Sequence, residues 1–309
     1  MSGLYPELAM KLRSLTTRLQ LRWQESVPHC GEPGCTLGRR LWRHIHWWNG
    51  TITLHGRRYC SPQCFEAAVR DRLVRVGTQD FVPRSAEHRI PLGLLMLSRG
   101  QLTNQQLRSA LEAQEKNGQL RLGEWLEKLG FATEHQITAA LGLQWACPVL
   151  QPDARRDPSC SRLLPFRLLE NYRLLPLQYV APTNTFYLAF CDGIDYTVLH
   201  AVEQMLQCHT DACLVTRTAL DRALEQISRR RSPEDLLFEG WRRAHEMARI
   251  VCGYALKVGA DTTRIVPCGM YVWVRLGCGR RFVNLLFRRP VPERESVAGS
   301  DEFYLPVVS

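Results

Sequence analysis

Lysine is scarce in this chain: only Lys11, Lys116, Lys128 and Lys257 occur among 309 residues, and none follows a glycine. A phosphate-cradling P-loop ends on Gly-Lys-Ser or Gly-Lys-Thr, because backbone amides and one ammonium must neutralise the phosphates. Nucleotide hydrolysis of that kind is excluded. Long apolar runs are missing too, so no segment has the length to cross a bilayer, and residues 1–10 lack the order of a signal peptide. The twelve cysteines therefore read as cytosolic thiols rather than disulfide partners. No Cys, His and carboxylate arrangement marks a nucleophilic enzyme.

What is present is basic and modular. The net charge is +10 and 45% of residues are hydrophobic, as in an ordinary soluble protein with room for about two or three compact domains. Such a balance suggests an acidic partner: a ligand, a protein face or anionic lipid heads.

The most informative feature is an internal repeat. Pro91-Leu92-Gly93 is answered by Arg121-Leu122-Gly123, and each copy closes on a glutamine, Gln114 and Gln144. Between these, Met96, Gly100, Leu102, Leu107 and Leu111 match Leu126, Gly130, Ala132, Ile137 and Leu141 at equal offsets. Matched offsets mean one structural unit used twice. In the first copy a short helix carrying Leu94, Leu95 and Leu97 is expected to stop at Gly100, which lacks Cβ and takes the left-handed cap conformation. Thr103 then caps a second helix with Gln106 as its capping-box partner, and Thr133 and Gln136 repeat the device. Leu107, Leu111 and Gln114 follow on one face. A helical hairpin this short cannot bury its stripe alone, so the two copies should pack into a four-helix scaffold.

These residues resemble the N-terminal domain of type II secretion and type IV pilus assembly ATPases, in the form called the MshEN domain. That family carries tandem copies of a pattern opening Arg-Leu-Gly and closing on Gln, and some members bind cyclic di-GMP with both. Leu164-Pro165-Phe166, Tyr172-Arg173-Leu174-Leu175-Pro176-Leu177, a strand over 185–190 and Cys191-Asp192-Gly193 look like the second half of the domain, giving a resemblance over 88–228. It implies nucleotide contacts from Arg89, Leu92, Gly93, Gly100, Gln114, Arg121, Leu122, Gly123, Gly130 and Gln144. The chain departs from the pattern at Pro91, where the family has Arg and where Arg89 lies two residues ahead, and at Gln101 and Glu127, which replace apolar positions. Losing a guanidinium removes a bidentate contact to phosphate. A scaffold without ligand is the alternative for the repeat.

A second stretch resembles the small α/β domain that precedes the motor core in the same ATPases. It runs from Met247-Ala248-Arg249-Ile250-Val251 through 255–261 and Arg264-Ile265-Val266-Pro267 to Tyr271-Val272-Trp273-Val274-Arg275-Leu276, with a turn at Gly277-Cys278-Gly279 where the family has an acidic residue and glycine. Alternation of Val272, Val274 and Leu276 is what a half-buried strand requires. Ser309 falls where the motor core would begin. The resemblance therefore implies a non-catalytic adaptor or regulator related to secretion and pilus assembly ATPases, sensing cyclic di-GMP if the repeat retains its ligand. Its partners would be protein components of such a machine, its place cytoplasmic or peripheral at the inner membrane.

The N-terminal module is foreign to that family. Cys30 and Cys35 bracket Gly-Glu-Pro-Gly, and Cys60 and Cys64 bracket Ser-Pro-Gln. Two turns supplying two thiolates each suit a closed tetrahedral zinc site, with His29 and His55 as alternative ligands. Ser61 and Pro62 fit the N-cap and first position of a helix, which puts Cys64 in its first turn. Asn49-Gly50 signals a hairpin turn and 51–54 the strand after it. The arrangement resembles a treble-clef zinc finger, whose metal would contribute folding energy directly because the segment is too poor in apolar residues to hold a core. Arg39, Arg40, Arg43, Arg57 and Arg58 with Trp42, Trp47, Trp48 and Tyr59 make the module basic and aromatic. Nucleic-acid binding by a zinc-finger regulator is thus the alternative function, although no groove-reading helix is evident and such patches serve protein interfaces equally.

The fold class expected is α+β and multi-domain: an amphipathic helix over 1–27 (stripe Leu8, Leu12, Leu15, Leu19), a zinc finger over 28–80, the tandem helices over 88–150, an α/β half over 161–228, a small α/β domain with a β-hairpin over 234–289, and a flexible tail over 290–309. The eight remaining cysteines read as small buried hydrophobes.

Overall fold

The computed structural model of the chain describes residues 30–35, 52–78, 89–118, 120–151, 157–229, 235–240 and 242–289. The stripe in 1–27, His29, the Asn49-Gly50 turn, the tryptophans at 42, 47 and 48 and the segment 290–309 lie outside the described residues.

Strands β1 (Thr53–Leu54) and β2 (Arg57–Arg58) form a hairpin and lead into helix α1 (Pro62–Thr78). Four helices follow: α2 (Leu92–Ser98), α3 (Asn104–Asn117), α4 (Leu122–Lys128) and α5 (Glu134–Gln144). Next come α6 (Phe166–Asn171), β3 (Leu174–Val180), β4 (Thr185–Phe190), α7 (Tyr196–Leu206), β5 (His209–Leu214) and α8 (Arg217–Arg229). The last group is β6 (Asp235–Phe238), α9 (Ala244–Val258), β7 (Thr262–Cys268), β8 (Tyr271–Cys278) and β9 (Arg281–Arg288).

Local chemistry sets the four repeat helices. Thr103 and Thr133 each accept from the amide three residues on, while Gln106 and Gln136 return a carboxamide oxygen to the cap amide at 2.9 and 2.8 Å. Gly100 and Gly130 take φ of +66° and +70° after the first helix of each copy, the conformation a Cβ disfavours. One expectation fails: Leu111 is 46% exposed, and Ala110 is buried in its place. Its counterpart Leu141 packs instead against the core of the following unit, so covering of one copy by that unit breaks the symmetry.

Two sheets organise the rest. Strands β3, β4 and β5 make a three-stranded sheet, with β4 and β5 parallel across the α7 crossover. The other sheet has six strands in the order β2-β1-β7-β8-β9-β6. Here the structure departs from the domain boundaries drawn above, because β1 pairs in parallel with β7 and joins the 28–80 and 234–289 segments in one sheet. On one face of that sheet Ile265, Val272, Val274, Leu285 and Phe287 pack against Phe65, Val69 and Leu73 of α1 and Met247, Val251 and Ala255 of α9. On the other, Val266, Tyr271, Trp273 and Leu286 enter the core that holds Leu168, Leu169 and Val202. Strand β8 is therefore buried on both faces, not half-buried, because a second unit covers the side left to solvent by the sequence reading.

That second face is fastened by polar groups. Tyr172 Oη donates to the Cys268 carbonyl (2.9 Å) and accepts from the Met270 amide (2.8 Å), closing on the turn at Gly269, whose φ is +53°. Asn284 Oδ1 accepts from Trp273 Nε1 and Arg275 Nε, both at 3.0 Å. Its amide donates to Asp235 Oδ1 (2.9 Å), and Asp235 Oδ2 accepts from the Phe166 amide (2.9 Å). Burial pulls the Arg275 guanidinium down to about 9, with Asp235 opposing that pull.

Candidate functional site

The four predicted thiols meet. Cys30 and Cys35 flank a tight turn closed by the Cys35 amide on the Glu32 carbonyl (3.1 Å), and Gly31 donates to Arg58 O (2.7 Å), which hangs this turn on β2. A Cβ at Gly31 would come within 3.1 Å of the Tyr59 ring, so only glycine passes there without displacing the ring. Ser61 Oγ accepts from the Cys64 amide (3.2 Å) ahead of Pro62, and Cys64 sits in the first turn of α1 as expected. All four sulfurs lie within 4.8 Å of one another, with Cys35–Cys60 at 3.3 Å and Cys60–Cys64 at 3.8 Å. A tetrahedron of thiolates around zinc at about 2.3 Å has sulfurs roughly 3.8 Å apart, so the donor set fits such an ion. Held as thiols, Cys60 and Cys64 are both pushed up, first by burial; the neighbouring sulfurs add to this at Cys60, while at Cys64 the Ser61 hydroxyl opposes it. A divalent cation reverses that preference.

His55 is not in this cluster. It occupies the hairpin turn with φ of 48°, and its Nε2 lies 3.1 Å from both the amide and the carbonyl of Ile265. The hairpin turn is His55-Gly56, which the sequence reading did not single out; Gly56 has φ of +81°. Of the other cysteines, Cys160, Cys191, Cys208, Cys213, Cys252 and Cys268 are buried as expected, Cys147 is half-buried and Cys278 is exposed.

In the tandem repeat, the residues named for nucleotide contact divide by role. Gln114 Nε2 donates to Leu120 O (3.3 Å), just ahead of the second motif, and Gln144 Nε2 donates to Ile90 O (2.7 Å), just ahead of the first. Each copy thus holds the entry strand of the other. The glycines extend this reciprocity: a Cβ on Gly93 would meet Leu107 of its own copy at 2.6 Å and Leu122 of the other at 3.3 Å. One on Gly123 would meet Ile137 at 3.0 Å and Leu92 at 3.7 Å. Gly100 and Gly130 have no atom within 4 Å of such a Cβ and act as helix stops.

Arg89 and Arg121 line one cavity of about 370 Å³ together with Trp145, Tyr172, Arg173, Asp192, Asp195 and Tyr196. The Arg89 guanidinium lies over the Trp145 ring, 3.2 Å from its centroid. Arg121 is 3.8 Å from Asp192 and its side chain is 71% exposed. A smaller cavity beside it, about 70 Å³, takes Leu92, Arg121, Gly123 and Ile137 with Glu124 and Arg217. Arg217 donates to Asp192 Oδ1 (2.9 Å) and also to Glu124, whose other oxygen accepts from the Arg121 amide at 2.8 Å. Burial pushes both carboxylates up. For Asp192 the Arg217 and Arg121 charges outweigh it, for Glu124 the Arg121 amide and Arg217 do, and both end below the ordinary carboxylate range. Glu134 ties the repeat to the α8 N-terminus, accepting from Thr218 N and Oγ1 at 2.7 Å each. Sequence reasoning missed Trp145, Glu124 and Arg217. The first two directly follow flagged residues, whereas Arg217 is joined to the site only by the fold.

Among the described residues no helix is long and apolar enough to cross a membrane. Residues 141–234 match the family model described as the MshEN domain. The match starts in the last turns of α5, so most of the tandem repeat, expected in the same domain, lies outside it. Type IV pilus assembly ATPase PilB of Myxococcus xanthus is 26% identical over 149 residues, 47% of this chain. The chain spans about a quarter (26%) of that relative's length. A solved structure described as MshE with cdg is 28% identical, with a TM-score of 0.40 over 45% of this chain and 99% of the other. The N-terminal domain of XpsE is 19% identical, with a TM-score of 0.34 over 47% and 98%. Over residues 141–234 the chain is similar to the MshEN domain, and over about half of its length it is similar to part of the pilus assembly ATPase PilB.

Proposed function

We propose that the chain is a non-catalytic recognition unit of a secretion or pilus-type machine, binding cyclic di-GMP on the face where Arg89 and Arg121 converge and carrying a structural zinc ion on Cys30, Cys35, Cys60 and Cys64. The observation that carries the reading is the reciprocal clasp of the two copies, Gln114 on Leu120 and Gln144 on Ile90, which brings an arginine from each motif entry to one cavity beside Trp145. The solved MshE structure with cdg supports the choice of ligand. Arg89 supplies the guanidinium that Pro91 does not, from two residues ahead. An aromatic ring with an arginine above it offers a stacking platform for a purine. Arg121 faces Asp192 at 3.8 Å while largely exposed, a pair worth about 0–1 kcal/mol. A phosphodiester anion of the ligand can therefore displace that carboxylate, gaining charge-assisted bonds of about 1.5–3 kcal/mol each.

Isothermal titration of the full chain with cyclic di-GMP tests this. Saturable binding is expected, weakened about tenfold or more by Arg121→Ala and by Arg89→Ala. No heat with the unsubstituted chain, or binding indifferent to both substitutions, would remove the ligand from the account. The four thiolates of the zinc site leave no open position, so the metal is structural and its chemistry is to hold the hairpin to α1.

A further inference from the structure

The cavity that holds Arg89, Arg121 and Trp145 also has a wall outside the repeat: Asn171, Tyr172 and Arg173, three consecutive residues at the end of α6, line it. Each of the three is tied to a different element. Asn171 Nδ2 donates to Tyr271 Oη, Tyr172 Oη joins the Cys268 carbonyl and the Met270 amide, and Arg173 pairs with Asp221 of α8 at 2.5 Å. Arg173 holds a φ of 50°, a left-handed backbone that a residue with a Cβ keeps only where its neighbours fix it. The end of α6 is therefore a joint set by contacts on several sides.

The turn reached from this joint links β7 and β8, the two central strands of the six-stranded sheet. Cys268 pairs with Tyr271 across it, which leaves Gly269 and Met270 as a two-residue turn. The Met270 amide lies outside the strand ladder and finds its acceptor in Tyr172 Oη at 2.8 Å. Gly269 is matched to that contact: its φ is +53°, and a Cβ there would come within 2.2 Å of the same oxygen. Tyr271 packs edge-on to Tyr172, with ring centroids 6.5 Å apart at 79°. Neither Gly269 nor Met270 lines the cavity, so Tyr172 belongs to the cavity wall and to the turn at once.

We propose that Tyr172 is a latch by which an occupant of this cavity fixes the β7–β8 turn, so that nucleotide bound beside the repeat is read out at the six-stranded sheet. The inference rests on the cyclic di-GMP reading of the cavity. A ligand that spans the repeat arginines and the 171–173 wall fixes the end of α6 against the repeat, and the turn bonded to that end loses freedom with it. The linkage is reciprocal: a change that favours the turn apart from Tyr172 weakens the ligand by the factor through which the ligand favours the closed latch.

Calorimetry with cyclic di-GMP and exchange of single amides followed by NMR, both on the full chain, test the latch. Saturating ligand should slow exchange of the Met270 amide about fivefold or more. The Gly279 amide in the β8–β9 turn, bonded to Asp261 instead, should keep its rate. Gly269→Ala lies outside the cavity and drives a Cβ against Tyr172 Oη, so it should weaken cyclic di-GMP about fivefold or more. A melting curve checks that this variant folds, and if it does not, the exchange rates of the unsubstituted chain decide alone. No binding by the unsubstituted chain removes the ligand reading, and the latch with it. Binding with Met270 exchange unchanged, with Met270 and Gly279 slowed alike, or with full affinity in a folded Gly269→Ala overturns the latch and leaves the ligand in place.

Discussion

Stripping the metal from Cys30, Cys35, Cys60 and Cys64 is expected to unfold far more than a finger. The hairpin that a bound ion would secure is the edge of the six-stranded sheet, and α1, which begins two residues after Cys60, covers one face of that sheet. Phe65, Val69, Leu73 and Val76 are buried there against β8, β9 and α9. Each such side chain is worth about 1.5–3 kcal/mol on burial, so releasing α1 costs on the order of 6–12 kcal/mol. For a protein of this size that corresponds to a fall in Tm of roughly 10 °C or more. Mass spectrometry under native conditions should find one zinc per chain. Chelation or Cys60→Ser should then lower the melting transition and shift tryptophan emission to longer wavelength, since the buried Trp273 lies on the same sheet. An unchanged Tm after complete removal of metal would show that the hydrophobic contacts suffice alone.

Arg217→Ala is expected to be the most damaging single change outside the hydrophobic cores. It leaves Glu124 and Asp192, whose side chains are 24% and 27% exposed, without their shared counter-ion. Breaking a fully buried pair costs about 3–5 kcal/mol. Solvent screening at a guanidinium 34% exposed brings the expectation to about 2–4 kcal/mol. Arg217→Lys should recover little of this, since one ammonium cannot bridge two carboxylates in a fixed fork. The pH dependence has a defined sign. Both carboxylates have folded pKa values depressed below the unfolded ones. Their contribution is therefore present above the unfolded values, about pH 4, and is lost as pH falls through the folded values. Urea unfolding should show the parent and Arg217→Ala differing most at pH 7 and converging toward pH 3. A constant gap across that range would contradict the ionic account.

What the sequence made legible was local. Capping boxes at Thr103 and Thr133, stops at Gly100 and Gly130, and the Cys60 and Cys64 pair heading α1 all depend on residues within a few positions of one another. Pairings across long separations were not legible. Parallel pairing of Thr53 with Thr262 joins segments placed in different domains, and nothing in two short strands of two residues announces it. Likewise, the second buried face of β8 depends on Tyr172 and Asn284 meeting elements from elsewhere in the chain. For the candidate site, Arg121 and Gln144 were visible from the repeat, while Arg217 had no periodicity or motif to flag it. The glutamines carried a further lesson: flagged for ligand contact, each bonds a backbone carbonyl of the opposite copy, which explains a matched glutamine at the end of both.

The claim on which the functional account rests is that two interlocked copies form one nucleotide-binding face. Hydrogen exchange on the full chain, with and without cyclic di-GMP, tests it most directly. The account predicts that amides near Ile90–Gly93 and near Leu120–Glu124 gain protection together at the same ligand concentration. Protection confined to one copy, or none in either at saturating ligand, would contradict it.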